Sequence, residues 1–207
     1  MENTPEESVL EPLEQRVITL FHESIEAKMH AGEALAPLIG EASQMITHCL
    51  LNGHKILTCG NGTSTALAQI FTSSLLNRFE QERPSLPAIT IGTDTVIQSA
   101  ASIEHNFNEA YAQQIRALGH NGDLLLLISS NGNSSNLLQA MRAAHEREMD
   151  VIVLTGNDGG DIAALLDAND IELRVSLTSK PRIHEVHLLT LFSLCDLIDG
   201  QLFCGNN

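Results

Sequence analysis

Tryptophan is absent from this chain, tyrosine occurs once, and aromatic residues make up only 3%. Basic residues are also scarce: 11 Lys and Arg stand against 26 Asp and Glu, a formal net charge of −15. Proteins that grip DNA or RNA nonspecifically neutralise phosphates with basic side chains, so direct nucleic-acid binding is not expected. The same deficit argues against attachment to an anionic membrane surface. Long hydrophobic runs are missing too. Segments such as 124–128 and 151–154 are too short to span a bilayer, and the acidic start Met-Glu-Asn-Thr-Pro-Glu-Glu is unlike a signal peptide. Among the four cysteines (Cys49, Cys59, Cys195 and Cys204) there is no C-x-x-C pair. Buried, reduced thiols are the expectation, in an acidic cytoplasmic protein without disulfides or a metal cluster.

What is present is an apolar fraction of 43% in 207 residues, enough for one sizeable core. Residues 1–8 read as loose. Leu13, Val17, Leu20, Phe21 and Ile25 recur at helical spacing, predicting a helix over 10–29, and a second helix fits 34–51 before the Asn52-Gly53 stop. The period then changes. Strands are predicted at 55–59, 87–91, 123–128, 150–155 and 171–175, and helices at 65–77, 106–118, 134–147, 161–166 and 183–203. The middle strands are apolar on both faces, as in a parallel sheet covered by helices on each side. The expectation is a three-layer α/β/α sandwich with a five-stranded, doubly wound parallel sheet of flavodoxin-like type and an N-terminal helical extension. Residues 1–33 form the extension, used in packing or oligomerisation, 34–200 the domain, and 201–207 a tail. The extension's apolar stripe must be buried on its own sheet or on another subunit, and association of identical chains is expected.

Three loops after predicted strands are rich in small hydrogen-bonding residues: Gly60-Asn-Gly-Thr-Ser64, Ser129-Ser-Asn-Gly-Asn-Ser-Ser135 and Thr155-Gly-Asn-Asp-Gly-Gly160. Glycine-loop and helix N-terminal N–H groups attract anions, and hydroxyls add donors without charge. A phosphate or sugar phosphate suits the first two loops. In the third, tight turning and helix capping explain the composition equally well. No lysine makes any of them a nucleotide-binding P-loop.

Taken together, these segments resemble the SIS (sugar isomerase) domain family and, within it, the phosphoheptose isomerase group. The shared features are Cys59-Gly-Asn-Gly62, Arg83-Pro-x-x-Pro-Ala-Ile89, Gly122-Asp-Leu-Leu-Leu126, Leu154-Thr-Gly-x-Asp-Gly-Gly160 and Arg182-Ile-His-Glu-Val-His187. The resemblance implies a tetramer with phosphosugar sites at strand ends, completed by neighbouring subunits. It makes Asn61, Ser64, Ser129, Ser130, Asn131 and Ser134 the phosphosugar contacts, with Glu104 where the isomerases carry an acid. It also implies a catalytic and metal set that this chain lacks. Where the isomerases place a His and a Glu on the first cradle helix stand Ile70 and Ser74. Where they place a Gln and a His on the last helix stand His184 and Phe192. Ile, Ser and Phe supply neither a base nor a metal ligand of that kind. No catalytic residue, metal or cofactor is therefore assigned.

His184, Glu185 and His187 share one turn and could form half of a substitute acid–base site, or pack at an interface. The other histidines, at 22, 30, 48, 54, 105, 120 and 145, suggest no ligand set. One subgroup of the family matches further: Asn77-Arg-Phe-Glu80, Glu82-Arg-Pro-Ser-Leu-Pro87, Arg116-Ala-Leu-Gly-His120 and Cys195-Asp-Leu-Ile-Asp199 followed by Leu202-Phe203. Its members associate with the replication initiator DnaA. That resemblance implies a non-enzymatic homotetramer whose partner-binding residues include Leu202 and Phe203, with Gln98, Gln114, Arg182 and His184 as conceivable rim residues.

Overall fold

The computed structural model describes residues 12–104 and 106–203. Cys204, His105, the 1–8 segment and residues 204–207 of the tail lie outside the described residues. The elements run α1 (Leu13–Leu51), β1 (Ile56–Gly60), α2 (Thr63–Leu76), β2 (Ala88–Thr90) and α3 (Thr95–Glu104). After a 3₁₀ turn (Phe107–Glu109) come α4 (Ala110–Leu118), β3 (Leu124–Ile128), α5 (Ser135–Glu146), β4 (Asp150–Gly156), α6 (Gly160–Ala163), β5 (Ile171–Val175) and α7 (Lys180–Phe203).

The five strands form one sheet in the order β2-β1-β3-β4-β5, every pair parallel. Alternation along the strands divides the core. Ile56, Leu124, Leu126, Ile128, Ile152, Leu154 and Leu173 meet α1, α2 and α7 on one face. Leu57, Cys59, Leu125, Leu127, Val151 and Val153 meet α4, α5 and α6 on the other. Both faces are covered, which is why the central strands carry no polar alternation. Burial also pushes the Cys49, Cys59 and Cys195 thiols up to about 12, so these three are inert core residues. Helix α7 is the one described helix long and apolar enough to cross a membrane, but its apolar side packs on this sheet.

Four expectations need correction. The N-terminal helices are one helix of 39 residues, so the 33/34 boundary falls inside a continuous element. Ala31 and Leu35 carry it across that point by packing on Val175, Ile183 and Val186. Packing outweighs the local weakness of Gly32 and Pro37. Helix α3 was not expected; its segment has few buried residues, with Ala101 the one that is fully buried. The 161–166 helix is a single turn, Gly160–Ala163. The 106–118 helix starts as a 3₁₀ turn, capped by the Asn106 side chain accepting from the Asn108 N–H.

Leu13, Val17, Phe21, Ile25 and Met29, four residues apart on α1, are each more than half exposed. The stripe foreseen on the extension is thus real and is not covered by the chain's own sheet.

Candidate functional site

In a sheet ordered 2-1-3-4-5, the chain turns in opposite directions from β1 and β3, leaving a crevice at their carboxyl ends. The first two predicted loops lie there. Gly60 ends β1 and packs so closely on the next turn that a Cβ would lie 2.8 Å from Ser64 Cβ and 2.9 Å from the Ile128 carbonyl oxygen. The β1 and β3 ends can touch only because this residue has no side chain.

The side chains assigned to a ligand divide into two sets. Asn61 is occupied in holding the loops together. Its Nδ2 donates to Asn136 Oδ1 and its Oδ1 accepts from Asn136 Nδ2, both at 2.9 Å. The Tyr111 hydroxyl donates to the Gly60 carbonyl at 2.7 Å and to Asn61 Oδ1 at 3.1 Å. Ser129 Oγ accepts from the Gly132 N–H at 3.0 Å, and Asn131 Oδ1 from the Asn133 N–H at 3.3 Å. These three shape the loops. Ser64, Ser130 and Ser134 are differently placed. Ser64 is buried in the first turn of α2. Ser134 is the N-cap of α5 without spending its hydroxyl on the cap. Neither α2 nor α5 has an acidic residue in its first turn, so both helix N-termini keep their attraction for an anion. A cradle of neutral donors and two helix ends can hold a phosphate.

The third loop is a buttress. The Ile162 N–H donates to the Gly132 carbonyl at 3.0 Å, and the Asp161 N–H to Asn133 Oδ1 at 3.0 Å. Asn136 and Tyr111 were missed by sequence reasoning, and Asn133, inside the second loop, was not singled out. Tyr111 stands 50 residues from Asn61, and only its being the sole tyrosine sets it apart. Glu104 ends α3 exposed, and α3 packs on α4 and the 3₁₀ turn, so no described contact brings Glu104 to the cradle.

Ile70, Ser74 and Phe192 bring no base of the isomerases' kind to α2 or α7. Ile70 and Ser74 lie along α2, with the Ser74 hydroxyl donating to the Ile70 carbonyl at 3.0 Å. Phe192 packs on Phe79 with centroids 5.7 Å apart and lines an apolar groove of about 540 Å³ between α1 and α7. Glu185 accepts from Ser24 at 2.5 Å and from Arg182 at 2.8 Å, with Lys28 at 3.6 Å. Its burial pushes the carboxyl up, but Ser24, Arg182 and Lys28 outweigh that and hold it below the ordinary glutamate value. It is a tie between α1 and α7. His184 is pushed down by burial and by Lys180. His187 is fully buried, with Nε2 donating to the Thr155 carbonyl at 2.9 Å, and burial lowers it to about 4. Among the described residues no three His, Cys, Asp or Glu are grouped to hold a metal ion. Gln98 and Gln114 both bond to the Gly92 backbone, fixing the start of α3.

Leu202 packs against the core below α7, and Phe203 is 37% exposed with the Arg83 guanidinium 5.8 Å from its ring centroid. Of the apolar pair, Phe203 is the half available to a partner.

Known proteins match this chain over 91–92% of its length. A phosphoheptose isomerase of Chromohalobacter salexigens is 53% identical over 190 residues, 92% of this chain and 96% of its own. The DnaA initiator-associating protein DiaA of Salmonella paratyphi B is 50% identical over 189 residues, 91% of this chain and 96% of its own. Among solved structures, the phosphoheptose isomerase of Francisella tularensis superposes with a TM-score of 0.88 at 43% identity, covering 91% of this chain and 99% of that one. That of Neisseria gonorrhoeae gives 0.86 at 42%, covering 91% and 100%. Residues 20–156, which include the crevice between β1 and β3 and the loops that line it, match the SIS domain, and the chain belongs to that family.

Proposed function

We propose that this chain is a non-enzymatic, cytoplasmic adaptor: a homotetramer that binds the replication initiator DnaA and promotes its assembly at the chromosomal origin, timing replication initiation. The observation that carries the reading is the chemistry at Ile70, Ser74, His184 and Phe192. Three of these four side chains offer neither a general base nor a metal ligand of the family's kind. Aldose–ketose isomerisation moves a proton between adjacent carbons and needs a base near the substrate. The nearest substitute, Glu185, is committed to Ser24, Arg182 and Lys28. The 50% identity to a protein named for association with DnaA supports the partner. The uncovered stripe on α1 supports self-association, and a multivalent hub would gain from effective concentration rather than from new contacts. With a net charge of −15, the hub acts through its protein partner and not by touching DNA.

The test is DnaA binding measured alongside light scattering, with wild type compared to Leu202→Ala/Phe203→Ala. Loss of binding at unchanged mass supports the reading; undiminished binding removes Leu202 and Phe203 as the contact.

The name of the Chromohalobacter relative favours a second reading, a sedoheptulose 7-phosphate isomerase. The intact cradle also suits a regulator that binds a phosphosugar through Ser64, Ser130 and Ser134 without converting it. Incubation with the heptose phosphate, with and without zinc, separates these. Turnover that disappears in Glu185→Ala overturns the adaptor.

A further inference from the structure

The connection after α2 and the last turns of α7 enclose a cleft of about 350 Å³, lined in part by Phe79, Glu80, Asp196, Asp199 and Gly200. We propose that this cleft receives a basic side chain of the partner protein, an arginine by preference, beside the Phe203 contact. The inference rests on the adaptor reading.

Charge comes first. Three carboxylates line the cleft, and only Asp199 meets a cation among the described residues, Arg83 Nε at 2.6 Å from Oδ1. Glu80 and Asp196 are exposed at the mouth. Asp199 adds an observation of a different kind. Its side chain is only 6% exposed, and its second oxygen, Oδ2, is buried without a hydrogen-bond partner. Arg83 makes no hydrogen bond to it: Nε goes to Oδ1, Nη1 donates to the Leu75 and Pro84 carbonyls, and Nη2 donates to the Ser74 carbonyl. A buried carboxylate oxygen without a donor is costly, so Asp199 gains by turning Oδ2 toward a donor held in the cleft.

Shape and position agree with charge. Phe79 forms an aromatic wall, over which a planar guanidinium stacks better than a compact ammonium. Asp196, Asp199 and Phe203 are spaced i, i+3 and i+7 on α7 and so share one face. Arg83 touches both Asp199 and Phe203, so the cleft and the exposed ring are adjacent. A partner covering Phe203 thereby covers the cleft mouth.

Two measurements test this and separate it from the adaptor reading. The first needs no partner: N-acetylarginine amide, and its neutral citrulline counterpart, are titrated into the whole protein while the Gly200 amide resonance is followed. Saturable shifts with arginine only, abolished in Glu80→Gln/Asp196→Asn, support the cleft. Equal response to both compounds, or to neither, overturns it. The second is DnaA binding by wild type, Glu80→Gln/Asp196→Asn and Phe203→Ala. The acidic double variant is expected to bind about 10-fold more weakly, with a flatter salt dependence, at unchanged light-scattering mass. Wild-type affinity in that variant with loss in Phe203→Ala overturns the cleft and leaves the adaptor standing. A changed mass assigns the cleft to a second copy of this chain and also overturns it. Wild type that binds no initiator overturns the adaptor, and the arginine titration then decides the cleft.

Discussion

Arg83 and Asp199, 116 residues apart in the chain, form a buried ion pair with Nε 2.6 Å from Oδ1. The guanidinium is 1% exposed and the carboxylate 6%. The same arginine donates to the Ser74 and Leu75 carbonyls, which end α2, and lies over the Phe203 ring. One side chain thus joins the helix that begins at the cradle to the helix that ends at the proposed docking residue.

Breaking this pair from one side leaves a buried charge uncompensated. Arg83→Met is expected to lower stability by about 3–5 kcal/mol. Urea unfolding followed by circular dichroism measures it. A midpoint within error of wild type would show that the pair contributes nothing.

The Asn61–Asn136 amide pair behaves as a unit. Asn136→Ala strands the Asn61 amide in a partly buried site and is expected to cost about 1–3 kcal/mol. Asn61→Ala does the same in reverse. The double variant should therefore cost clearly less than the sum of the singles. Additive costs in a double-mutant cycle would contradict the pairing.

Gly132 sits at φ +71°, where a Cβ would lie 1.8 Å from the Gly159 carbonyl oxygen. That neighbour is backbone, so Gly132→Ala must part the second and third loops. A loss of roughly 1–3 kcal/mol is expected in urea unfolding, and a wild-type midpoint would contradict the close approach. At Gly40, inside α1, a Cβ meets nothing within 4 Å. Gly40→Ala should instead gain up to about 1 kcal/mol.

His187 sets a pH dependence. Burial lowers it from 6.5 to about 4, so between these values the unfolded chain takes up a proton that the folded chain refuses. Its contribution is complete above pH 6.5 and is lost as pH falls toward 4, amounting to about 3 kcal/mol at most. In His187→Gln, urea midpoints measured across that range should fall less steeply than in wild type. An unchanged slope would mean that other groups dominate.

Much of the architecture was legible along the chain. Leu124–Ile128 and Val151–Leu154 are apolar on both faces, and only a strand covered by helices on each side suits that. The Gly-Asn-Gly and Ser-Ser-Asn-Gly loops were read as following strands, and they lie at the carboxyl ends of β1 and β3. The long N-terminal helix was legible in part. Its stripe from Leu13 to Met29 was read, but not its continuity through Gly32, which depends on Val175, Ile183 and Val186 packing against Ala31 and Leu35. Helix α3 was missed although Val96, Ile97, Ala100 and Ala101 recur at helical spacing, and its large apolar residues are exposed rather than in the core.

Local patterns, then, determined the class of fold, the number of strands and the glycine-rich loops that follow them, while the resemblance to the family picked out Ile70, Ser74 and Phe192. Those properties belong to short stretches, where period, glycine and side-chain chemistry act on near neighbours. Only the tertiary structure decided that Asn61 is spent on Asn136, that Glu185 is a tie between helices, and that Asp199 shares Arg83 with Phe203. Each is a contact between segments far apart in sequence, and hydrogen bonds and ion pairs form by distance in space, which spacing along the chain does not encode.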